Sequence, residues 1–554
     1  MAKIQSVAFD SNVSESLSPI EYGVGWPVVY IINNDKEAYI GETVNMSTRA
    51  KQHYANSQRK PLNTLNVISN DDFNKSVILD LEGFLIKHMA ADEKFVLQNG
   101  NMGIQEHNYY QQKEYEKTFA EIWQELKEKE LTRQSLAEIQ NSDIFKYSPY
   151  KALNLEQYKV INKVVEILLE NQDTGKKSTV VVNGGAGTGK TVVAVYLMKI
   201  LSETSSNLEF DEEMDPGYLY VAENLSKLKE MKIGLVIPMQ SLRATIKKVF
   251  KNVQSLKPSM VISPIDVPKD EYDLLIVDEA HRLRQRKALS QYPAFDKNNK
   301  QLGFGNEGNE LDWIMKCSKN QIFFYDSMQS VKPADIPKSR FDELIKDNQD
   351  NFMELKSQFR CEGGNDYIDY IKDILDVKKD IQPKSIQNYD FKIFNHLEDL
   401  IEAIKEKDKE YGLCRVVAGF SWKWTSKNDK SAYDICIEGK NYRWNTQNTD
   451  WVNSKNALDE IGCIHTVQGY DLNYVGIIFG NEIGYDEEKG EIIIDKNKYF
   501  DQLGKTAVES REALKEYIVN IYKTLLTRGV KGAYVYACNE SLAKYLYNYI
   551  LERG

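Results

Sequence analysis

One stretch decides the fold of this chain: Gly184-Gly185-Ala186-Gly187-Thr188-Gly189-Lys190-Thr191. It follows the apolar run Thr179 to Val182 and leads into Val192-Val193-Ala194, so the predicted order is strand, glycine-rich loop and helix. The four glycines let the backbone turn tightly, and the N–H groups of such a loop point at phosphate oxygens. Lys190 can bridge terminal phosphates and Thr191 can ligate magnesium. The stretch therefore predicts a site for ATP or GTP with Mg²⁺.

A second apolar run ends in a pair of carboxylates. Leu274-Leu275-Ile276-Val277 is typical of a buried strand and is followed directly by Asp278-Glu279-Ala280-His281. Ligands of open parallel sheets collect at the carboxyl ends of strands. We expect Asp278 to hold the magnesium ion through its coordination shell and Glu279 to polarise the water that attacks the terminal phosphate. Together with the glycine-rich loop, this pair predicts nucleotide hydrolysis.

Composition limits the classes of protein that fit. A chain of 554 residues predicts about three or four domains. The net charge of −11 argues against a protein that coats nucleic acid non-specifically, although it leaves room for a local basic groove. The six cysteines include no Cys-x-x-Cys pair, which indicates neither a zinc ribbon nor a disulfide framework. With no signal peptide or membrane span in evidence, we expect a soluble, cytoplasmic protein without membrane contacts.

The order of apolar runs predicts an α/β fold. Four buried strands are expected at 180–182, 234–237, 274–277 and 322–325, and three more at 414–418, 475–479 and 533–536. A helical apolar spacing predicts an amphipathic connecting helix over 111–135. Three polar insertions, at 203–230, 426–457 and 483–511, are expected to be loops or small excursions.

Further motifs occur in the order typical of one helicase class. They are Asn154-Leu155-Glu156-Gln157, Tyr325-Asp326-Ser327-Met328-Gln329, Leu355-Lys356-Ser357-Gln358-Phe359-Arg360, His465-Thr466-Val467-Gln468-Gly469-Tyr470-Asp471 and Thr524-Leu525-Leu526-Thr527-Arg528-Gly529. Read together from 154 to 530, they resemble a superfamily 1 helicase, closest to the helicase-like part of schlafen-type proteins and related bacterial ATPases. The resemblance covers about two thirds of the chain and implies two RecA-like parallel-sheet domains of the P-loop NTPase class.

The helicase resemblance also implies roles for individual residues. Gln157 would read the adenine edge, which favours ATP over GTP, and Gln329 would sense the terminal phosphate. Arg360 and Arg528 would be the two arginine fingers that neutralise charge in the transition state. The turn at Gln468 and Gly469 would couple the nucleotide to a nucleic-acid strand.

An aromatic run between these motifs supplies a candidate strand contact. Phe420-Ser421-Trp422-Lys423-Trp424 alternates aromatic side chains with a cation, a pattern suited to stacking bases while contacting phosphate. Aromatic side chains that pack a domain seam give the same pattern, and the residues alone leave both interpretations open.

The first 110 residues contain a second group of candidate catalytic side chains, separate from the helicase motifs. Val28-Val29-Tyr30-Ile31-Ile32 and Tyr39-Ile40-Gly41-Glu42-Thr43 predict a hairpin, and Arg49 and His53 share one side of the helix that follows. With Glu82 on a later helix, these residues resemble the core of GIY-YIG nucleases. Val28 and Val29 replace the Gly and Ile of the family name, which is a change in packing because the chemistry uses the tyrosine.

The nuclease resemblance implies a metal-dependent phosphodiesterase. Glu82 would bind one Mg²⁺ or Mn²⁺ ion, Tyr30 would assist the attacking water and Arg49 would steady the phosphate. His53 would carry a proton or contact phosphate, with Tyr39 completing the pair of tyrosines. Either Asn99 or Asn101 would be the supporting amide.

The sequence as a whole predicts a GIY-YIG nuclease-like α+β domain at 1–110, a helical linker at 111–150 and RecA-like domains at 151–345 and 346–554. The predicted function is an ATP-driven helicase or translocase joined to an endonuclease, a fusion suited to antiphage defence or DNA processing. The alternatives are an ATP-regulated switch that binds nucleic acid without cutting it, and a translocase that does not separate duplexes. The sequence favours DNA over RNA without deciding between them and leaves protein partners unknown.

Overall fold

The computed structural model describes residues 2–18, 25–99, 109–150, 153–203, 221, 223–253, 255–287, 289, 292–327, 334–358, 361–429, 431–447, 451–467, 470–502, 505 and 510–554. The chain forms two compact units. The first contains Met1–Ser178, Thr191–Leu235 and Ala244–Val261, and the second contains Thr179–Lys190, Val236–Arg243 and Ile262–Gly554.

The strands, in chain order, are β1 Lys3–Ala8, β2 Val28–Asn33, β3 Glu37–Thr43, β4 Thr64–Ser69, β5 Val96–Leu97, β6 Ser178–Gly184, β7 Ile233–Val236, β8 Val261–Ile262, β9 Tyr272–Val277, β10 Ser318–Tyr325, β11 Phe352–Leu355, β12 Asp390–Ile393, β13 Arg415–Ala418, β14 Ile435–Ile437, β15 Lys440–Trp444, β16 Glu460–Cys463, β17 Leu472–Phe479, β18 Ile483–Asp486, β19 Glu491–Ile494, β20 Gly529–Ala537 and β21 Glu552–Arg553.

The helices that the structure describes are α1 Val13–Leu17, α2 Met46–Ala55, α3 Lys75–Asp92, α4 Gln112–Glu128, α5 Leu136–Asn141, α6 Asp143–Lys146, α7 Leu155–Thr174, α8 Lys190–Ser202, α9 Gln240–Lys251, α10 Tyr292–Leu302, α11 Glu310–Cys317, α12 Lys338–Asp347, α13 Gly364–Leu375, α14 Leu397–Tyr411, α15 Ile464–Val467, α16 Arg511–Leu526 and α17 Glu540–Tyr547. Among the described residues, no helix combines the length and apolarity needed to cross a bilayer.

The first unit begins with a five-stranded sheet in the order β1-β4-β2-β3-β5. The predicted hairpin is present: β2 and β3 are antiparallel, with Tyr30 opposite Gly41 and Ile32 opposite Tyr39. A side chain at Gly41 would overlap the hydroxyl of Tyr30, so a glycine at this position makes room for the tyrosine. Asn45 caps α2 by accepting a hydrogen bond from Thr48 N, which fixes the start of the helix that follows the hairpin.

The predicted connecting helix over 111–135 is shorter than expected. α4 ends at Glu128. The Asp92 carboxylate at the end of α3 accepts hydrogen bonds from the backbone N–H groups of Arg133 and Gln134 at 2.7–2.9 Å. These bonds join the backbone after α4 to a side chain instead of to a further helical turn. The apolar spacing of the sequence gave no indication of these hydrogen bonds. Trp123 of α4 packs among the aromatic side chains of α3, so the segment is packed against the N-terminal domain.

A six-stranded sheet has the order β11-β6-β10-β9-β7-β8. β6 and β9 are continuous apolar runs because both faces of such a strand are covered, and β10 pairs with β9 in parallel register. The four strands predicted in this part of the chain are confirmed. β11 pairs in parallel with β6, with Leu355 beside Gly184, so this sheet extends beyond residue 345. The motif that starts at Leu355, assigned by the sequence to the following domain, therefore begins on a strand of the first parallel sheet.

The second large sheet has the order β14-β15-β16-β13-β17-β20-β12-β21. Its central pairs, β16–β13, β13–β17, β17–β20 and β20–β12, are all parallel, and the three strands predicted for it are confirmed. The polar insertions at 426–457 and 483–511 are small excursions, as expected: each contains one antiparallel pair, β14–β15 and β18–β19. With two parallel sheets and a small antiparallel one, the α/β fold class is confirmed.

Candidate functional site

The glycine-rich loop lies between β6 and α8 and wraps around the side chain of Lys190. Lys190 Nζ donates hydrogen bonds to Gly184 O at 2.7 Å and to Gly185 O at 2.8 Å. Gly187 and Gly189 have φ angles of +83° and +82°, a region that favours glycine. These contacts give the loop a defined shape with its lysine already in place.

Asp326 brings a carboxylate to this lysine. It follows β10, the neighbour of β6, and its Oδ2 lies 3.5 Å from Lys190 Nζ. Both side chains are buried, and a buried charge needs a partner of opposite sign. Sequence analysis gave Asp326 no role, although its place after a buried strand was the same signal that identified Asp278.

Asp278 and Glu279 lie at the end of β9, the next strand along. Asp278 is fully buried, and its backbone N–H donates to Val236 O at 3.0 Å. Glu279 adopts the left-handed conformation with φ 53°, an arrangement that concentrates at functional positions. Its Oε2 lies 3.0 Å from Nε2 of the buried His281. Burial opposes ionisation of Glu279, but His281 and then Lys190 hold the pKa of its carboxyl below the ordinary value. Glu279 is thus ionised at neutral pH.

These groups fit a magnesium nucleotide. The loop offers backbone N–H groups and an ammonium group to phosphates, and Asp278 supplies the kind of oxygen ligand that Mg²⁺ prefers. Thr191, the expected hydroxyl ligand, follows Lys190 directly in α8. The donors come from the carboxyl ends of β6, β10 and β9, three adjacent strands.

Six further residues were predicted for the nucleotide site, and the structure describes two of them, Gln157 and Arg528. Gln157 is buried in the first unit and closes a capping box: its Oε1 accepts from Asn154 N at 3.0 Å, and its own N–H donates to Asn154 Oδ1 at 2.8 Å. Arg528 is buried in the second unit, where its Nη1 donates to Tyr470 O at 3.5 Å. Gln329, Arg360, Gln468 and Gly469 lie outside the described residues. The roles predicted for all six residues stay predictions.

The aromatic run after β13 surrounds a buried tryptophan. Trp422 and Trp424 are half-buried, with ring centroids 6.1 and 6.4 Å from that of Trp444. Lys427 lies 5.9 Å from the ring centre of Trp424. The tryptophans pack on a core residue while parts of their surfaces stay open beside a cation, so a contact with a nucleic-acid strand stays a prediction.

The first unit holds a second cluster, built around Tyr30. Tyr30 Oη and His53 Nε2 are 2.7 Å apart and both side chains are buried. Arg49 Nε donates to the same hydroxyl at 3.4 Å. Because Arg49 supplies a donor, the Tyr30 proton is left to bond the imidazole nitrogen. The predicted tyrosine, histidine and arginine therefore meet in one hydrogen-bonded group.

Burial keeps the two titratable rings of this group neutral. It raises the pKa of Tyr30 well above its ordinary value, with Tyr39 and Glu82 acting in the same direction and Arg49 opposing them. Burial, followed by the charges of Arg49 and Arg59, lowers the pKa of His53 from 6.5 to about 3. His53 is therefore a neutral hydrogen-bond partner near pH 7. Glu82 is close enough to Tyr30 to raise the pKa of the tyrosine hydroxyl.

Two further side chains complete the cluster. The Arg59 guanidinium lies 4.0 Å above the Tyr39 ring and donates to Gln98 Oε1 at 3.0 Å. Asn99 accepts from Ile40 N at 3.1 Å and donates to Ile40 O at 2.8 Å, which ties it to the strand beside Tyr39. Sequence analysis missed Arg59, because a single arginine in a turn carries no motif, and the alternative amide Asn101 lies outside the described residues.

Comparison with known proteins covers the larger part of the chain. Residues 177–539 match the family model described as Schlafen group 3, DNA/RNA helicase domain. The uncharacterized protein YPL245W of Saccharomyces cerevisiae is 28% identical over 431 residues, which are 71% of this chain and 90% of that protein.

Solved structures of helicases also match, at low overall similarity. A Bacteroides Pif1 helicase in complex with ADP-AlF3 and ssDNA has 12% identity over 70% of this chain and 92% of that chain, with a TM-score of 0.26. The arterivirus helicase, nonstructural protein 10, has 12% identity over 70% of this chain and 63% of that chain, with a TM-score of 0.28.

The family match confirms the predicted resemblance to schlafen-type helicases, while the nuclease resemblance of the first 110 residues stays a prediction. The matched segment includes the phosphate loop and the three strand ends that face it, and it spans more than half of the chain. The chain therefore belongs to the Schlafen group 3 DNA/RNA helicase domain family.

Proposed function

We propose that this protein is an ATP-driven helicase or translocase whose N-terminal domain is a metal-dependent endonuclease. The observation that carries the proposal is the position of Lys190, bonded to the loop carbonyls and paired with Asp326 at the strand ends that also present Glu279. That arrangement supports binding of a triphosphate and activation of water beside it.

The ATPase chemistry follows from this geometry. ATP bound with Mg²⁺ supplies the reactive phosphoryl group and its charge neutralisation. Lys190 and the loop N–H groups would hold the phosphates, Asp278 and Thr191 would hold the metal ion, and the ionised Glu279 would orient and polarise water. Arg360 and Arg528 are proposed to complete the site as arginine fingers, Gln329 as phosphate sensor, Gln157 as adenine reader, and Gln468 with Gly469 as the link to the strand.

The nuclease proposal rests on the cluster around Tyr30. A hydroxyl that accepts from Arg49 and donates to the neutral His53 is held in a fixed direction, and we propose that it assists and orients the water that attacks a phosphodiester. Glu82 is proposed to hold one Mg²⁺ or Mn²⁺ ion, which would activate water and offset phosphate charge. Arg49 is proposed to bind the phosphate, with Tyr39 and Asn99 supporting the site.

The two activities together suit an enzyme that loads or moves a strand and cuts it. We propose a cytoplasmic protein with a nucleic-acid substrate, DNA more than RNA, in antiphage defence or DNA processing. The exposed parts of Trp422 and Trp424, with Lys423 and Lys427, are proposed to contact the strand.

A matched panel of single- and double-stranded DNA and RNA tests the proposal, with ATP turnover and strand scission scored in the same reactions. We expect ATP hydrolysis to be stimulated by single strands and scission to require Mg²⁺ or Mn²⁺. Equal turnover with and without polynucleotide across a range of salt would reject the motor. Tailed duplexes added to the panel separate unwinding from translocation alone.

The alternative, a binding switch that does not cut, gives a different result in the same panel. It predicts nucleic-acid binding that responds to ATP, with no scission under any metal. The hydrogen-bonded group of Tyr30, His53 and Arg49, in which the two rings are buried, favours the nuclease, because a surface that only binds a strand has no need of a tyrosine hydroxyl held between two hydrogen-bond partners.

A further inference from the structure

Gln358 lies against the phosphate loop although it belongs to a distant part of the sequence. Its Nε2 donates to Ala186 O at 2.8 Å. A Cβ atom built on Gly187 would collide with the amide of Gln358, so the glutamine occupies the space beside the loop that a larger residue would fill.

The strand before Gln358 explains this contact. β11 pairs in parallel with β6, with Leu355 beside Gly184. The chain that leaves β11 therefore emerges next to the loop that leaves β6. A Cβ atom at Gly184 would lie 3.2 Å from Leu355 Cβ, so the two strand ends are tightly packed.

The hydrogen bond to Ala186 O constrains a donor on the other side of the peptide. In a trans peptide unit, the carbonyl and the following N–H point in opposite directions. A hydrogen bond that holds Ala186 O therefore also fixes the direction of the Gly187 N–H. Glycines flank this peptide and Gly187 has φ +83°, so the backbone alone restrains it weakly.

We propose that Gln358 is a positioning residue of the ATPase site, which locks the Ala186–Gly187 peptide so that the Gly187 N–H is directed toward bound phosphate. This inference rests on the proposed ATPase function and adds a residue to it. In this proposal Gln358 acts through the loop, by its hydrogen bond to Ala186 O.

Glu362, four residues after Gln358 in the chain, contacts the second parallel sheet. Glu362 N donates to Val530 O at 2.8 Å, and Lys531 Nζ donates to Glu362 Oε1 at 2.7 Å. The segment that begins on β11 thus reaches β20 shortly after it contacts the phosphate loop.

Two substitutions at Gln358 and one control test the inference in the full-length protein. Gln358→Ala removes the bond, and Gln358→Glu keeps the shape but cannot donate to a carbonyl. Asn365→Ala removes a bond of the same kind and segment, from Asn365 Nδ2 to Lys356 O at 3.0 Å, on an exposed surface. Fluorescent ADP binding and steady-state ATP hydrolysis are measured for each.

A neutral hydrogen bond of this kind predicts that Gln358→Ala raises the Kd for ADP and the KM for ATP by about 3- to 10-fold, with kcat within about 2-fold. Gln358→Glu is expected to weaken binding further, because it adds negative charge near the phosphates, while Asn365→Ala stays at wild-type values. Unchanged Kd and KM in both glutamine variants would overturn the inference, and so would a loss confined to kcat. A wild-type protein that binds no ADP or ATP would instead refute the proposed ATPase.

A double-mutant cycle makes the steric contact itself testable. Gly187→Ala places a methyl group against the Gln358 amide, and Gln358→Ala removes that amide. We expect the double variant to bind ADP more tightly than the sum of the two single effects predicts. Strict additivity would show that Gln358 and Gly187 do not touch.

Discussion

The phosphate loop and the Tyr30 cluster obtain their reactive groups in different ways. The nucleotide site consists of a loop of eight consecutive residues and of side chains that follow neighbouring parallel strands. The protein backbone therefore positions most of its functional groups. The Tyr30 cluster is built from side chains on a hairpin and two helices. A site made by backbone can be recognised from one stretch of sequence, whereas a site made by side chains depends on the packing of several elements.

The two sites also treat charge in opposite ways. Lys190 lies 3.5 Å from Asp326 and Glu279 lies 3.0 Å from His281, and the neighbouring basic side chains hold the pKa of the buried Glu279 carboxyl below its ordinary value. At the other site, burial holds Tyr30 and His53 in their neutral forms. Charged groups suit the binding of a highly charged ligand, and neutral hydrogen-bonding rings suit the orientation of a water molecule or of a phosphate oxygen.

The largest effect on activity is expected for a substitution in the phosphate loop. Lys190→Ala removes the ammonium group that bonds two loop carbonyls and leaves the Asp326 carboxylate buried without this partner. We expect ATP hydrolysis to fall by on the order of 10²–10³-fold or more in a phosphate-release assay. Lys176→Ala is the control, since that lysine makes only an exposed ion pair with Glu170. ATP turnover that survived Lys190→Ala would show that the loop is not the nucleotide site.

The second substitution affects the proposed nuclease site. Glu82→Ala is expected to reduce strand scission by on the order of a hundredfold or more, because the proposed metal ligand is lost, while ATP turnover remains. Glu116→Ala removes an exposed carboxylate from α4 and serves as the control. If cutting persists in the Glu82 variant, the proposed metal site is wrong. If Lys190→Ala stops processive cutting while Glu82→Ala leaves ATPase activity intact, the two sites are coupled in the proposed direction.

The same contrast explains what could be predicted from the sequence. The loop, Asp278 and Glu279 were found because each directly follows an apolar strand. Asp326 also directly follows a buried strand and was given no role, although the same signal was present. Gln358 was missed as a site residue because its contact depends on the order of strands in the sheet, which places β11 beside β6. Arg59 was missed because its contact with Tyr39 arises only when the turn after α2 folds under the hairpin. The helix over 111–135 was predicted too long, because hydrogen bonds to Asp92 bind the backbone of residues 133 and 134.

A smaller effect is expected at the aromatic side chains beyond β13. Trp422→Ala and Trp424→Ala should each weaken binding of single-stranded DNA by roughly 5- to 100-fold if a base stacks on the ring, with ATP affinity unchanged. Tyr110→Ala, which alters a highly exposed ring elsewhere, is the control in the same fluorescence-anisotropy titration. A loss of ATP affinity or of thermal stability without a change in strand binding would mean that both tryptophans only pack against Trp444.

The smallest effect concerns pH and distinguishes the neutral site from the charged one. His53 has a pKa of about 3 in the folded protein against an ordinary value of 6.5, and burial likewise lowers the pKa of His88 to about 4. Below pH 6.5 the unfolded chain therefore binds protons that the folded chain does not, so stability is full above that pH and is lost as the pH falls toward these values. Each histidine is expected to contribute up to about 1.4 kcal/mol per pH unit in this window.

Hydrogen exchange at the β2 and β3 amides, corrected for intrinsic rates between pH 7 and pH 4.5, measures the free energy of opening. His53→Gln should reduce its pH slope by about the share of one histidine. His88→Gln is the matched comparison, because it removes another buried imidazole whose pKa is lowered, without touching Tyr30. An unchanged slope in the His53 variant would mean that this ring is already protonated in the folded protein and cannot be the neutral partner of Tyr30.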